Sequence, residues 1–411
     1  MKFLRKFLDR QEKHFREGGK LKGLYYLYEA IDSFLYTPGK PTPGASHIRD
    51  AMDFKRIMMV VVYALIPAVL MGLYNVGYQA NLELAKLGET ALQSQGWRVD
   101  LLMGLGIGLN PANILACFLH GLLYFLPIYI VTLAVGGSWE VLFACIRKHE
   151  VHEGFLVTSL LFPLVLPPTI PLWQVAIGIS FGVVIGKEVF GGVGMNIFNP
   201  ALTARVFLFF AYPIQISGDA VWVAVDGVSK ATPLARAAEA GLAGLVETST
   251  SLAASWWNAF IGIIPGSIGE TSTLACLIGA VILIATGIGS WRIMGSILMG
   301  MVGLTLLFNL IGSTTNPMFG VTPWWHLVLG GFAFGTVFMA TDPVSAAITQ
   351  KGKYVYGLLI GCLVILIRVL NPAYPEGMML AVLFGNMCAP LIDRIFIKKN
   401  IKRRKLRYVQ P

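Results

Sequence analysis

Charge is what this sequence has least of. Asp, Glu, Lys and Arg together make up 13% of its 411 residues, against 55% hydrophobic, where a soluble domain carries roughly a quarter charged residues. The apolar residues fall in blocks long enough to cross a bilayer, so an integral membrane protein is expected. Cysteine is scarce too. The five, Cys117, Cys145, Cys276, Cys362 and Cys388, each lie within or at the edge of an apolar segment, and no two stand at CxxC spacing. That argues against a self-contained iron–sulfur or structural zinc site and leaves buried cysteine behaving as a small hydrophobe. No GxGxxG opening a βαβ unit, no P-loop and no HExxH occurs, so the chain shows no sign of dinucleotide binding by a known nucleotide fold. Residues Met1 to Arg16 are densely charged with no apolar core, so no signal peptide is expected.

What the chain does have is 45 glycines and 21 prolines, which in so apolar a sequence suggest close helix packing and broken helices. Its net charge of +10 does not point to nucleic acid, because the basic residues gather at both ends and in short loops, as in membrane-inserted chains. Residues 2–16 place Phe3, Leu4, Phe7, Leu8 and Phe15 near one helical face among basic residues, a pattern for a helix lying on a membrane surface. With the aromatic stretch Leu24 to Tyr36, the Tyr-Thr-Pro-Gly at 36–39 and the run His47 to Asp50, it forms an arm over residues 1–55. That arm is read as peripheral or as a cover over the entry of a lipid-soluble ligand.

About ten spans are expected, at about 56–76, 113–136, 154–166, 173–190, 201–212, 271–288, 292–311, 327–340, 354–370 and 378–397, giving a transmembrane domain over 56–397 and a basic tail over 398–411. With a cytoplasmic N-terminus, Lys55, Arg56, Arg147, Lys148, Lys187, Arg292, Lys351, Lys353 and the tail all fall cytoplasmic, and the long loop 213–255 falls outside. This satisfies the positive-inside rule, with Arg368 as the exception. Segments three to five and eight to ten share an order: a short apolar helix, a break at Pro167-Pro168 or Thr341-Asp342-Pro343, a span ending in Lys187 or Arg368, then Asn-Pro. An offset of five helices makes this an inverted repeat, and paired broken half-helices point to a central site.

Three acidic residues stand where a membrane makes charge costly: Asp342 at a helix break, Glu140 after Gly136-Gly137, and Asp393 near the end of the last span. Asp342 reads as functional; Glu140 and Asp393 read equally as interfacial. Asn196, Asn199 and Asn371 flank broken backbone and would bond either a planar polar heterocycle or the backbone itself. Gly136-Gly137 would let a flat ring such as a quinone or flavin approach, or would pack helices tightly. The polar interval Asp226-Gly227-Val228-Ser229-Lys230-Ala231-Thr232-Pro233-Leu234 is read as a non-helical loop carrying one threonine hydroxyl, at Thr232.

Five stretches together, LYEAIDSFLYTPG, NPALTARVFLFFAYPIQISGD, DGVSKATPL, FMATDPVSA and VLNPAYPEGMMLAVLF, make nearly the whole chain resemble the B subunits of sodium-pumping NADH:quinone oxidoreductases. The D subunits of ferredoxin:NAD oxidoreductases are similar but lack the long N-terminal arm, so a D-type flavin subunit is the alternative. A passive channel on the same scaffold is another. The resemblance implies an all-α polytopic fold on a urea-channel-like scaffold. It implies FMN bonded through its phosphate to Thr232, in a pattern like D-G-x-[ST]-G-A-T from which Lys230 departs by replacing Gly. It further implies riboflavin at Asn196, Asn199 and Asp342, ubiquinone near Gly136, Gly137 and Phe155, and Na⁺ passage by Glu140, Asp393 and Glu29. The implied partners are the other membrane, flavin and iron–sulfur subunits of a six-subunit complex and a flavin transferase. The implied setting is a bacterial inner membrane with both termini cytoplasmic.

Overall fold

The computed structural model describes residues 2–15, 25, 28–29, 32, 36, 54–87, 96–148, 154–246, 251–371 and 376–409. The expectations for Thr37 to Gly39, for His47 to Asp50 and for Pro372 fall outside them. Among the described residues every regular element is helical. Six helices are long and apolar enough to cross a membrane, one of them the run Leu172–Phe190, and three apolar helices, Gly154–Leu164, Pro200–Ala211 and Thr273–Ala285, accompany them.

Helix α1 (Lys2–Phe15) packs on the segment around Tyr28: the Tyr28 hydroxyl donates to Leu8 O at 3.0 Å, Phe15 stacks on Tyr28, and Arg5 pairs with Asp32 at 2.7 Å. Burial, and then the charge of Asp32, pushes the Tyr28 hydroxyl up to about 12. The first long helix, α2 (Phe54–Leu87), runs past the expected end of the first span and takes in Glu83 and Lys86. A short α3 (Trp97–Gly104) follows. In α4 (Ile114–Arg147) Asn113 caps the first turn, its Oδ1 accepting from Leu115 N at 3.0 Å. The Gly136-Gly137 pair, expected to end this span, lies inside the helix. A glycine pair in an apolar environment costs a helix about 1 kcal/mol per residue, too little to stop one whose backbone bonds have no water to turn to.

Close approach joins α2 to α4. A Cβ on Gly77 would meet Cys117 O at 1.8 Å, and one on Gly121 would meet Leu73 O at 1.8 Å. Only glycine lets two helices touch backbone to backbone at both points. The chain continues through α5 (Gly154–Leu164), α6 (Leu172–Val184), α7 (Pro200–Ala211), α8 (Pro233–Ala240), α9 (Leu252–Ile261), α10 (Thr273–Ala285) and α11 (Trp291–Ile311). After α12 (Pro323–Val328) the backbone breaks at Leu329–Gly331 and resumes as α13 (Phe332–Phe334), prolonged by a π-helical turn, Gly335–Met339. Two long helices close the fold: α14 (Gln350–Leu370) and α15 (Met378–Val409). The basic residues from Lys398 to Arg407 prolong α15 as helix.

Broken helices leave carbonyl groups without intrahelical partners, and in an apolar interior each must find a donor. The connection after α5 and the one before α10 meet through backbone bonds: Ile268 N donates to Leu166 O at 3.1 Å and Gly269 N to Leu164 O at 2.7 Å. Side chains serve other carbonyls. Arg205, on α7, donates to Val165 O at 2.8 Å. Asn75, on α2, donates to Ile264 O at 2.8 Å. Arg368, on α14, donates to His326 O at 2.9 Å and to Leu329 O at 2.8 Å. Arg368 is fully buried. It is not a loop residue: it holds the α12 break closed.

Candidate functional site

Two polar sites lie at opposite ends of α2. Met58 and Val61, near its start, line a cavity around Asp342. Gln79 and Glu83, near its end, meet Lys230, whose Nζ lies 3.4 Å from an oxygen of each. Val61 and Gln79 are roughly 27 Å apart at the helical rise.

The Asp342 cavity brings together Asn196, Asn199 and Asp342, as expected from the sequence, and adds Lys187, Thr158 and Thr341. Asn199 is bonded in two directions. Its Oδ1 accepts from Ala201 N at 3.0 Å and Leu202 N at 3.3 Å, capping α7, where Pro200 occupies the first helical position. Its Nδ2 donates to Asp342 Oδ2 at 3.2 Å, across 143 positions of sequence. Asp342 also accepts from Val344 N at 3.1 Å and from the Ser345 hydroxyl at 2.9 Å. Asn196 Nδ2 donates to Phe198 O at 2.9 Å. Between the walls lies about 690 Å³ counting the open mouth, of which about 60 Å³ admits the centre of a water molecule. The neutral donors and acceptors, one carboxyl and one ammonium suit a polar heterocycle with a hydrogen-bonding edge.

Behind this cavity lies a buried ion-pair network that the sequence pattern did not reveal. Lys187 Nζ pairs with Glu140 and lies 3.7 Å from Glu188. Arg147 reaches the Glu188 carboxylate at 3.0 Å and donates to the Glu188 carbonyl at 2.6 Å. Lys187, Glu140 and Glu188 are all buried. The one local signal was the acidic residue beside Lys187 in the sequence; the partner 47 positions away left none.

Gly136, Gly137 and Phe155 also come together. A Cβ on Gly136 would lie 2.5 Å from the Phe155 ring, and one on Gly137 would lie 3.7 Å from it. A flat ring does lie against this glycine pair, and it is the chain's own. Asp393, on α15, accepts from Ile348 N at 2.7 Å, from Thr349 N at 2.9 Å and from the Thr349 hydroxyl. It thus ties α15 to the start of α14, apart from the Asp342 cavity lining. Glu29 lies in the arm, next to Tyr28.

At the other end, Thr232 is the last non-helical residue of its interval, in extended backbone, and it is not exposed. It caps α8, its Oγ1 accepting from Ala235 N at 3.2 Å, with Pro233 at the first helical position. Residue 232 is 8% exposed and lines a narrow cavity with Ser267, Glu270, Gly330 and Glu376. The Thr-Pro pair is a helix-start signal of the kind that Asn199-Pro200 also carries, and it corrects the expectation of a wholly non-helical interval. Lys230 bonds to Asp219 O through its backbone at 3.0 Å, and its ammonium shares Glu83 with Lys86. Glu270, not expected from the sequence, is buried, accepts from the Ser267 hydroxyl, and sits where a Cβ on Gly331 would meet it at 2.3 Å.

The family model for the NQR2, RnfD, RnfE family matches residues 42–402. The chain belongs to that family. Over 406 residues it is 59% identical to the B subunit of the Na(+)-translocating NADH-quinone reductase of Stutzerimonas stutzeri strain A1501, covering 99% of this chain and 100% of that protein. The proteins of the same name from Azotobacter vinelandii, 58% identical over 99% of this chain and 100% of that one, and from Yersinia pestis, 57% identical over 98% and 99%, match at similar length. Family membership gives the two polar sites a common setting in one subunit of a redox-linked membrane complex.

Proposed function

We propose that this chain is the membrane subunit of a redox-driven sodium pump, in which electrons pass from FMN on Thr232 through riboflavin to ubiquinone, coupled to Na⁺ export across a bacterial inner membrane. The observation that supports it most is DGVSKATPL in a chain of this family, with the Thr232 hydroxyl at the start of α8. The first turn of a helix presents unpaired N–H groups and the positive end of its dipole. A phosphoester on the capping oxygen sets its negative charge where both favour it. The narrow cavity beside Thr232 gives the tethered group a wall to lie against.

At the far end of α2, the amides of Asn196 and Asn199 and the Asp342 carboxyl would hold riboflavin by its polar edge, with Phe338 and Val157 as apolar walls. The closed part of that cavity is smaller than a three-ring system, so binding requires its walls to part at the open mouth. The flavins supply the redox chemistry; the chain positions them and keeps water out. Phe155 would move aside to let a quinone ring lie on Gly136-Gly137. Glu140, Asp393 and Glu29 are proposed to line the Na⁺ path.

In this reading the chain crosses the membrane about ten times: the six long helices, the short α5, α7 and α10, and the broken α12–α13 unit. The second half repeats the first inverted. The arm 1–55 and the tail 398–411 lie in the cytoplasm, the loop 213–255 outside, and the remaining flavin and iron–sulfur subunits of a six-subunit complex dock around the domain 56–397. The test is flavin fluorescence of the denatured polypeptide after co-expression with a flavin transferase. A fluorescent wild-type band and a dark Thr232→Ala band are expected; a dark wild-type band refutes the reading.

A further inference from the structure

One side of α15 changes character along its length. Phe384, Met387, Leu391 and Ile395 recur every three or four residues, so they line one face of the helix, and they are between 45% and 66% exposed. The next two positions on that face are Lys398 and Lys402, both exposed, and the helix runs through them without a break. An exposed apolar stripe on a helix long enough to cross a membrane faces lipid. Lysines that continue it reach the polar boundary with their stems still against hydrocarbon. Two contacts place that boundary. Trp291, which opens α11, lies edge-on to Tyr354 of α14 with ring centres 6.4 Å apart, and both are exposed; aromatic rings of this kind gather at the edge of the bilayer. The start of α14 is tied in turn to α15 at Asp393, through Ile348 N, Thr349 N and the Thr349 hydroxyl. Lys398 stands roughly 7 Å beyond Asp393 at the helical rise, at the depth of a lipid phosphate rather than of an acyl chain.

From Arg394 to Arg407 the chain carries eight cations and no acid, and Asp393 is engaged by backbone N–H groups and by Thr349. Lys351, exposed at the start of α14, adds charge at the same end. Toward the middle of the membrane, Phe384 and Met387 form one wall of an apolar groove between α14 and α15, about 720 Å³ counting its open side, with Leu363 and Ile367 opposite. Met387 lies roughly 16 Å from Lys398 along the helix axis, about half the thickness of a hydrocarbon core of about 30 Å. We propose that this face of α15 is a binding site for one anionic phospholipid of the leaflet in which α15 ends. Its phosphate sits on Lys398 and Lys402, and one acyl chain runs along Ile395 and Leu391 to the groove. An acidic protein surface would meet the cations on every side of the helix alike. Anion and hydrocarbon laid in that order along a single side are the chemistry of one lipid. The site requires only that α15 cross the bilayer, and it stands apart from the flavins.

The experiment uses the full-length chain, purified in a neutral detergent and titrated with dansyl-labelled phosphatidylglycerol, with energy transfer from the chain's tryptophans as the readout. A lysine beside an anionic headgroup contributes about a fivefold factor in affinity. Phosphatidylglycerol is therefore expected to bind about tenfold or more tightly than dansyl-labelled phosphatidylcholine. Lys398→Gln/Lys402→Gln is expected to weaken phosphatidylglycerol binding by about tenfold or more and to leave phosphatidylcholine binding unchanged. Arg403→Gln/Arg407→Gln removes the same charge from the opposite side of the same helix and is expected to leave both unchanged. All four residues are exposed, so neither pair of substitutions disturbs packing. Glycerol phosphate, which has the phosphate without the chains, is expected not to compete. Equal weakening by the two pairs, no preference for phosphatidylglycerol over phosphatidylcholine, or displacement by glycerol phosphate overturns the site. Displacement by polyglutamate as effective as that by unlabelled phosphatidylglycerol overturns it in favour of an acidic protein partner.

Discussion

Arg368 carries the sharpest structural prediction. Its guanidinium donates to His326 O at 2.9 Å and to Leu329 O at 2.8 Å, the carbonyls left over where α12 stops before Gly330. In an apolar interior water does not replace those donors. Arg368→Met keeps most of the stem's volume and strips both bonds. A buried acceptor left without a partner costs about 1–3 kcal/mol, so two cost about 2–6 kcal/mol by the same rule. Arg368→Lys keeps the charge and one donor's reach but loses the fork, which puts it at about 1–3 kcal/mol. Arg205→Met removes the bond to Val165 O and belongs in that lower range too. The assay is thermal melting of the detergent-purified chain, with proteolysis near Gly330 as a local readout. The expected order of loss is Arg368→Met greatest, with Arg368→Lys and Arg205→Met smaller and alike. An Arg368→Met chain that melts with the wild type, or an Arg368→Lys chain as unstable as Arg368→Met, would refute the claim that the two carbonyl bonds are what Arg368 is for.

Three further outcomes follow from the packing and the caps. Gly361→Val drives a side chain into Ile297 O, 2.2 Å from where its Cβ would stand, so α11 and α14 must separate; loss of folded yield on expression is expected, whereas the same change at Gly303, with open space around it, leaves yield unchanged. Thr232→Ser keeps the cap and a hydroxyl, and the denatured band stays fluorescent; Thr232→Val loses the cap, costs about 1 kcal/mol, and gives a dark band with faster hydrogen exchange at Ala235. Asp393→Asn keeps one acceptor oxygen of the two that receive Ile348 N and Thr349 N; a loss of about 1–3 kcal/mol should appear as faster exchange at those two amides, and unchanged protection there would remove the tie between α15 and α14.

The family resemblance brought Asn196, Asn199 and Asp342 together as a group, while composition and pattern alone were enough for an all-helical membrane protein and for helix breaks at Thr341-Asp342-Pro343 and after Leu166. These are local matters: apolar length, proline and the short polar side chains that satisfy a broken backbone announce themselves within a few residues. Thr232 and its surrounding motif were legible by resemblance, and the Thr-Pro pair carries the helix start that the polar composition of the interval hides. Helix ends were read less well. Gly136-Gly137 looked like a terminus because glycine ends helices in water, where a freed backbone group has a solvent partner; inside α4 it has none, and the helix runs on.

Only the tertiary structure decided where the charges go. Glu140 and Lys187 are 47 positions apart, Asn199 and Asp342 are 143 apart, and no periodicity relates either pair. Arg368 stood as an exception to the charge pattern until the broken helix beside it left carbonyls to bond. A buried charge in this chain is placed by what long-range packing brings within reach of it, because in an apolar interior a polar group's partner must come from the fold and not from water.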